Sequence, residues 1–273
     1  MAPLSTATSA PSLSLALHLT PEAFYGTVVP DGELTAPTGG KPQASAFRMP
    51  TDECTSLAAN VKTLLAQHPE WEQKRYGQVD IIVETLRYTP VPLELFEEDR
   101  KKELFGCCFE PKEEEQIRHD ILAFCNAVVV FSADRFALNM LLDPFPQAKI
   151  HSQAAIDAEY FGRLYREKEP MELCAVFNAE RIHAYAYRQG GLLSLSSFTS
   201  LSADDAVYYL LSLMKQHEMD LRSHTLHLAG QSEYLDAADQ MARRFVRFVD
   251  RIPLPATEDN TFSLYALQQL QNS

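Results

Sequence analysis

The sequence predicts an α/β fold made of two related lobes, each with a mixed sheet flanked by helices. Residues 15–34 and 173–192 align without a gap at an offset of 158 residues (173 − 15), and Glu22 in one copy matches Glu180 in the other. Each copy reads as an apolar strand, a short polar turn, a second strand and a turn that contains glycine. The same hairpin used twice indicates an internal duplication, and two lobes imply a cleft between them.

Composition excludes several classes of protein. The chain has 273 residues, a net charge of −13 and five cysteines. Such an acidic chain is a poor partner for nucleic acid or for an anionic membrane surface, because both require basic patches. No apolar run is long enough for direct insertion into a membrane. An odd number of cysteines without a disulfide framework favours a reducing compartment, so we expect a cytoplasmic protein.

The first lobe is expected at residues 13–168, after a disordered tail at 1–12. The tail is small and polar and lacks the basic start of a signal peptide. Leu57, Val61 and Leu64 recur at helical spacing and mark the apolar face of a helix. In chain order, we expect strands near 13–19 and 23–30, a turn at 36–40, a strand near 43–48, a helix from about 52 to Pro69, and a strand at 78–86.

The rest of this lobe alternates between helix and strand patterns. The segment Thr89–Pro92 contains two prolines, which remove backbone donors, so we expect it to leave regular structure. Ile117, Ile121 and Cys125 share one face of a predicted helix, and Ala127–Phe131 is typical of a buried strand. We expect helices at 96–109 and 113–125, a strand at 127–131, a helix from about 132, a strand at 149–152 and a helix at 153–166.

The second lobe is expected at residues 169–273 and repeats the first. Ser202 and Asp205 form an S-x-x-D capping signature for the helix after its third strand. Each lobe therefore runs strand, strand, strand, helix, strand, helix. We expect strands at 172–177, 181–188 and 192–199, a helix after Ser202, a strand at 224–229, and helices at 234–250 and 262–271.

This repeated order of elements resembles the actin-like ATPase fold, which belongs to the ribonuclease H-like architecture. Residues 127–165 and 172–200 look like passages of the pseudo-actin components of type IV pilus assembly and type II secretion. Over residues 13–252 the chain also resembles an uncharacterised bacterial family assigned this fold. The resemblance implies two lobes that clasp a nucleotide between their first hairpin turns.

The turns that would hold this nucleotide have unsuitable residues. In active members of the superfamily, each turn carries an aspartate for magnesium, glycines with bare N–H groups, and a hydroxyl residue. The matching segments here, 20–23 and 178–181, contain neither aspartate nor glycine, and Pro21 has no N–H group to donate. A Gly-Gly pair that contacts adenosine is reduced to one glycine. The expected residues of this vestigial cleft are Thr20, Glu22, Asn178, Glu180, Gly230 and Ser232.

Three hypotheses follow. The first is a non-catalytic actin-like scaffold that recruits a partner and binds no cofactor. The second is a divergent ATPase or phosphotransferase of the sugar kinase–actin superfamily that uses ATP with magnesium; Glu22, Glu180 and Asp80 are its candidate magnesium ligands or general base, and Glu84 is a further acid on the same predicted strand. The third is an unrelated α+β protein in which the repeated hairpin is a coincidence.

Four arginines suggest where a protein partner or a second copy of the chain would bind. Arg243, Arg247 and Arg251 follow each other at i, i+4 spacing on the predicted helix 234–250, and Arg244 is adjacent. They form a basic stripe in an acidic protein, which favours an acidic partner. The alternative is that they pair with acidic residues of the same chain.

Overall fold

Two expected features, the tail at 1–12 and the turn at 36–40, lie outside the residues that the computed structural model describes. The described residues are 13–30, 45–72, 76–254 and 259–272. Their strands are β1 (Leu13–Leu19), β2 (Ala23–Pro30), β3 (Ser45–Pro50), β4 (Tyr76–Val83), β5 (Tyr88–Pro92), β6 (Glu115–Leu122), β7 (Ala127–Asp134), β8 (Lys149–Ser152), β9 (Glu172–Asn178), β10 (Arg181–Arg188), β11 (Gly191–Thr199), β12 (Thr225–Gln231) and β13 (Phe248–Arg251).

Helices cover both lobes. None of the helices within the described ranges is long and apolar enough to cross a membrane. The helices are α1 (Leu57–Gln67), α2 (Lys101–Gly106), α3 (Arg135–Leu142), α4 (Gln153–Leu164), α5 (Ala203–Gln216), α6 (Leu235–Ala242) and α7 (Phe262–Gln271).

The two five-stranded sheets have the same strand order, as a duplicated chain requires. The first lobe runs β3-β2-β1-β4-β8 and the second runs β11-β10-β9-β12-β13. In each lobe the first three strands pair antiparallel, while β1 with β4 and β9 with β12 are parallel. Strand β10 begins 158 residues after β2, which is the offset between the two hairpin sequences. The predicted α/β fold of two lobes with mixed sheets is confirmed.

The C-terminal helix α7 links the lobes, because it follows the second lobe in sequence yet packs into the core of the first. Leu264 and Ala266 are buried in a cluster with residues of β1, β4 and α4. The Phe262 ring stacks on Phe161 of α4 at 5.2 Å between centroids. The hydroxyl of Thr261 accepts the N–H of Leu264 and fixes the start of the helix. This helix therefore brings its first turn to the contact between the lobes.

Two predictions between β4 and β8 are wrong, because a separate three-stranded sheet, β5-β7-β6, occupies this region. The predicted helix 113–125 is strand β6. Ile117 and Ile121 lie four apart, and such a pair shares one face on a strand as well as on a helix. The segment Thr89–Pro92 is part of β5. Strand β5 lies at the edge of this sheet and, among the described strands, pairs only with β7. The nitrogens of Pro90 and Pro92 face away from β7, so their lack of an N–H group disrupts no pairing.

Helix boundaries also differ from the predictions. The helix expected from about 52 begins at Leu57, where Ser56 caps it. Asp52 lies in a preceding turn, and its backbone N–H donates to the side-chain oxygen of Asn60 at 2.8 Å. The helix expected at 234–250 ends at Ala242, and the chain then enters β13, which pairs with β12. The predicted capping contact of Ser202 with the N–H of Asp205 is confirmed at 3.1 Å.

The predicted arginine stripe does not exist as a helix face. Arg243 and Arg244 lie in the turn after α6, and Arg251 lies at the end of β13. The buried valines at 246 and 249 fit the helical pattern that the sequence shows, but pairing with β12 decides the structure of this segment. Two of the arginines bind acids of the same chain: Arg243 pairs with Asp239 and Arg251 with Asp236.

Candidate functional site

In the first hairpin turn, the hydroxyl of Thr20 forms its hydrogen bonds with the backbone of the same turn. Thr20 is buried, and its Oγ1 donates to the carbonyl of Ala23 at 2.8 Å and accepts the Ala23 N–H at 3.1 Å. In the second turn Ala179 takes a left-handed backbone with φ of 48°, and its N–H donates to the carbonyl of Gln231 at 3.2 Å. Both turns are therefore closed by their own chain and offer few free donors to a ligand.

A carboxylate from a different strand lies between the two turns. Glu84 directly follows β4, and its side chain is only 1% exposed. Its Oε2 accepts from the amide of Asn178 at 2.7 Å, and its Oε1 accepts from Arg181 at 3.2 Å and contacts His183 Nε2 at 3.4 Å. The same Arg181 nitrogen donates to Glu22 at 3.0 Å. We call these five residues the inter-lobe bridge, because Glu22 and Glu84 belong to the first lobe and the others to the second.

The inter-lobe bridge keeps a negative charge in the cleft. Burial alone would raise the pKa of Glu84, but the hydrogen bond from His183 and the charges of His183 and Arg181 outweigh it, so the pKa lies below its usual value. Glu84 is therefore ionised at neutral pH. A phosphate placed between the turns would meet this carboxylate and would compete with it for Arg181.

The single glycine of the expected adenosine contact is required by the backbone. Gly230 has a φ of +92°, and a Cβ at this position would lie 2.0 Å from the carbonyl oxygen of Phe177 in the neighbouring strand. Only glycine allows β12 to approach β9 this closely. The carbonyl of Ser232 then accepts the N–H of Leu235 as α6 begins. The backbone alone therefore explains why position 230 is glycine, without a contact to a ligand.

Two cavities open from the cleft and share Ser232. One has a volume of about 360 Å³, and four glutamates contribute to its lining: Glu22, Glu53, Glu180 and Glu233. The other has about 450 Å³ and lies at the first turn of α7. The sequence-predicted residues therefore do meet, with Glu22, Glu180 and Ser232 around the first cavity and Asn178 and Ser232 at the second. The larger cavity is lined by His18, Tyr25, Arg48, Gln153, residues 176–179, residues 231–233 and residues 261–263.

A second buried polar network joins the lobes behind this cavity. His18 contacts the hydroxyl of Thr261 at 2.8 Å and the amide oxygen of Gln153 at 3.2 Å. Burial lowers the pKa of His18 to about 4, so the ring is neutral. Asp157 on α4 accepts from the hydroxyl of Tyr185 on β10 at 3.1 Å, and its other oxygen has no partner among the described residues. Burial raises the pKa of Asp157 to about 7.

Asp80 of β4, a candidate magnesium ligand or general base for phosphotransfer, does not face the two hairpin turns. Asp80 accepts from Gln78 at 2.7 Å and from Gln271 at 2.9 Å, and its other oxygen contacts His151 at 3.3 Å. His151 also contacts Asp120 at 3.0 Å. Asp80 therefore belongs to a structural ion cluster between the first-lobe sheet and β6, away from the turns.

These residues do not fit ATP with magnesium. The turns lack glycine amides and aspartate, the carboxylate of Glu84 occupies the space between them, and the adjoining cavity is lined with glutamates. Within the described residues no group of histidine, cysteine, aspartate and glutamate side chains is arranged to hold a metal ion. The sequence drew attention to the turns but missed the central role of Glu84. Polar residues inside apolar strands, such as His18 and His183, were the available signal.

The comparisons with known proteins agree with this architecture. Residues 40–249 match a family model described as a protein of unknown function, DUF3822. No curated protein matches the sequence. A crystal structure from Bacteroides thetaiotaomicron VPI-5482, described as a protein with actin-like ATPase fold and unknown function, is similar at 25% identity with a TM-score of 0.83, over 98% of this chain and 99% of that chain.

Two further solved structures are similar at lower scores. The PilM-PilN type IV pilus biogenesis complex has 16% identity and a TM-score of 0.48, over 88% of this chain and 88% of that chain. The ethanolamine utilization protein EutJ from Carboxydothermus hydrogenoformans has 7% identity and a TM-score of 0.49, over 89% and 85%. The fold rests on the Bacteroides thetaiotaomicron structure: it is the actin-like ATPase fold, as the sequence resemblance implied.

Proposed function

Because this chain belongs to the DUF3822 family, whose description states no activity, we propose a function from its own cleft. It is a non-catalytic scaffold of the actin-like fold that binds a protein partner and no nucleotide. The observation that carries this proposal is the ion pair of Glu84 with Arg181, at 3.2 Å, between the turns that would hold phosphate.

Displacing Glu84 is costly. A phosphate that took Arg181 from Glu84 would leave a buried carboxylate without its arginine partner. Breaking a buried ion pair in this way costs about 3–5 kcal/mol. Glu22 and the glutamates of the adjoining cavity add further repulsion, since they bring more negative charge towards the same space. The contacts of a bound nucleotide would have to offset this cost before binding became favourable.

Side chains of the two lobes contact each other directly. The inter-lobe bridge connects them at the turns, and the hydroxyls of Tyr88 and Ser197 form a hydrogen bond between β5 and β11. His18, Thr261 and Asp157 connect them behind the larger cavity. Such contacts oppose separation of the lobes, which suits a protein whose role is to present a surface and gives no advantage to an enzyme that must open and close around ATP.

The arginine cluster is the part of the surface where we place partner binding. Arg243 and Arg251 pair with acids of their own chain, whereas Arg244 and Arg247 are exposed and have no ion pair within the described residues. We place the protein in the cytoplasm, because its five cysteines are all free thiols, which fits a reducing compartment.

The test is to extract the purified protein with acid, quantify nucleotide, and then assay magnesium-dependent ATPase activity and phosphoryl transfer to a panel of small alcohols and carboxylates. We expect no bound nucleotide and no transfer. Nucleotide in stoichiometric amount, or an ATPase activity that Glu180→Ala abolishes, would show that the cleft is catalytic and the proposal wrong.

A further inference from the structure

The turn after α6 and the first residue of β13 together carry exposed arginine and phenylalanine side chains. We call residues 243–248 the Arg-Phe turn. Phe245 is 54% exposed and Phe248 is 44% exposed, although aromatic rings of this size usually lie in the core. Arg244 and Arg247 lie in the same turn and are exposed. Arginine and aromatic residues are the side chains most enriched at the centres of protein interfaces.

The Arg-Phe turn is held in place by its own backbone. The N–H of Val246 donates to the carbonyl of Ala242 at 2.9 Å, and the N–H of Arg247 donates to Leu221 at 2.8 Å. The side chains of Val246 and Val249 are buried in the core of the second lobe. A surface that is already ordered loses little conformational entropy when a partner binds, which favours affinity.

The charges of the Arg-Phe turn are not neutralised within the chain. Arg243 binds Asp239 at 2.8 Å, but Arg244 and Arg247 have no ion pair among the described residues. The Arg247 guanidinium instead lies 5.2 Å from the centre of the Phe248 ring. This arrangement leaves two cationic groups beside two apolar rings in a protein of net charge −13.

We propose that the Arg-Phe turn is a docking surface for a partner protein that presents carboxylates next to an apolar side chain. This inference rests on the proposed function, because it names the partner chemistry of the scaffold. Nucleic acid is a poorer occupant, since the rest of the acidic protein repels it. A second copy is also poorer, because two molecules of net charge −13 repel each other before any local contact forms.

The experiment uses three short fluorescent peptides and the full-length protein. One peptide alternates glutamate and leucine, the second alternates lysine and leucine, and the third alternates glutamate and serine. Fluorescence anisotropy measures binding at low and high salt. We expect the glutamate–leucine peptide to bind best, with an affinity that falls as salt rises.

Two double variants locate the binding site. Arg244→Glu with Arg247→Glu is expected to weaken binding of the glutamate–leucine peptide at least about tenfold. The control is Lys102→Glu with Lys112→Glu, which makes the same change in net charge at two exposed lysines on the other lobe. It is expected to keep the affinity. Thermal unfolding checks that both variants are folded. We expect them to be, because all four positions are exposed.

Several results would overturn the proposal. These are equal weakening in both double variants, equal binding of the glutamate–serine peptide, or tighter binding of a single-stranded DNA probe. Self-association in sedimentation velocity that the arginine variant abolishes would assign the turn to a second copy instead. None of these readouts involves ATP or its hydrolysis, so failure here is distinct from failure of the nucleotide-free scaffold, which shows as bound or hydrolysed ATP.

Discussion

Arg181 of the second lobe lies 3.2 Å from the buried carboxylate of Glu84 in the first lobe. The same guanidinium nitrogen lies 3.0 Å from Glu22. One side chain of a strand in the second lobe thus ties together two acids that reach it from the first-lobe hairpin and from the end of β4. This contact joins the two hairpin turns through the end of β4, and its removal should lower the stability of the fold.

Replacing Arg181 with alanine tests this contact. The change removes the ion pair between Arg181 and the buried carboxylate of Glu84, so we expect the free energy of unfolding in urea to fall by about 3 kcal/mol. The control is Arg166→Ala, which removes an exposed arginine with no ion pair among the described residues and should change stability by less than about 0.5 kcal/mol. Equal effects of the two variants would contradict the importance of the bridge.

Asp157 predicts an unusual dependence of stability on pH. Its pKa rises from 3.8 to about 7 on folding because the group is buried. The folded protein therefore holds this proton more tightly than the unfolded chain, and stability falls as pH rises from about 4 through 7. A shift of this size is worth on the order of 4 kcal/mol.

Asp157→Asn isolates this contribution. The amide cannot ionise, so the variant should lose the decline between about pH 4 and 7 and should be more stable than the wild type at about pH 8. Urea unfolding at a series of pH values measures both. Parallel stability curves for wild type and variant would show that Asp157 does not titrate in this range.

His151 is a base, so a raised pKa favours its charged form, whereas the raised pKa of Asp157 favours the neutral form. Burial lowers its pKa, but the hydrogen bonds and charges of Asp120 and Asp80 outweigh burial and raise it to about 9. Its stabilisation is complete below the unfolded pKa of 6.5 and is lost as pH rises through about 9. We therefore expect His151→Gln to cost about 3 kcal/mol at pH 6 and much less at about pH 10. A cost that is independent of pH would contradict the charged cluster.

Gly230 and Gly106 form a matched pair for the backbone argument. Gly230→Ala places a Cβ 2.0 Å from the carbonyl of Phe177 at a positive φ, so we expect a loss of about 3 kcal/mol or more. Gly106→Ala meets no atom within 4 Å and should be neutral or stabilise by up to about 1 kcal/mol. Thermal unfolding compares them. A tolerated alanine at position 230 would remove the structural reason for this glycine.

The sequence predicted the architecture better than the site, for physical reasons. The repeated hairpin was enough to indicate two lobes, because strand patterns are local. The strands β6 and β13 were missed because their apolar spacing fits a helix equally well, and only pairing with β7 and β12 decides between them. Strand β5 was missed because its two prolines are tolerated only at the edge of a sheet, and the order of strands in the sheet decides which strand lies at the edge.

The candidate cleft shows the same limit. Both turns were located, and their lack of glycine and aspartate was visible in the sequence. The residue that lies between them, Glu84, comes from the end of β4, far along the chain from either turn. The packing of α7 on α4, which brings Thr261 to His18, is likewise a contact across most of the chain. Local patterns carry no information about such contacts, so the bridge and its network required the structure.

The central claim, that the cleft binds no nucleotide, is tested most directly by a thermal-shift titration with magnesium and ATP, ADP or GTP. A ligand that binds only the folded state stabilises it by RT ln(1 + [L]/Kd), about 2.7 kcal/mol at a hundredfold excess over Kd. The account predicts an unchanged unfolding temperature at millimolar nucleotide. A clear rise that saturates with nucleotide concentration would contradict it and would show that Glu84 can be displaced from Arg181.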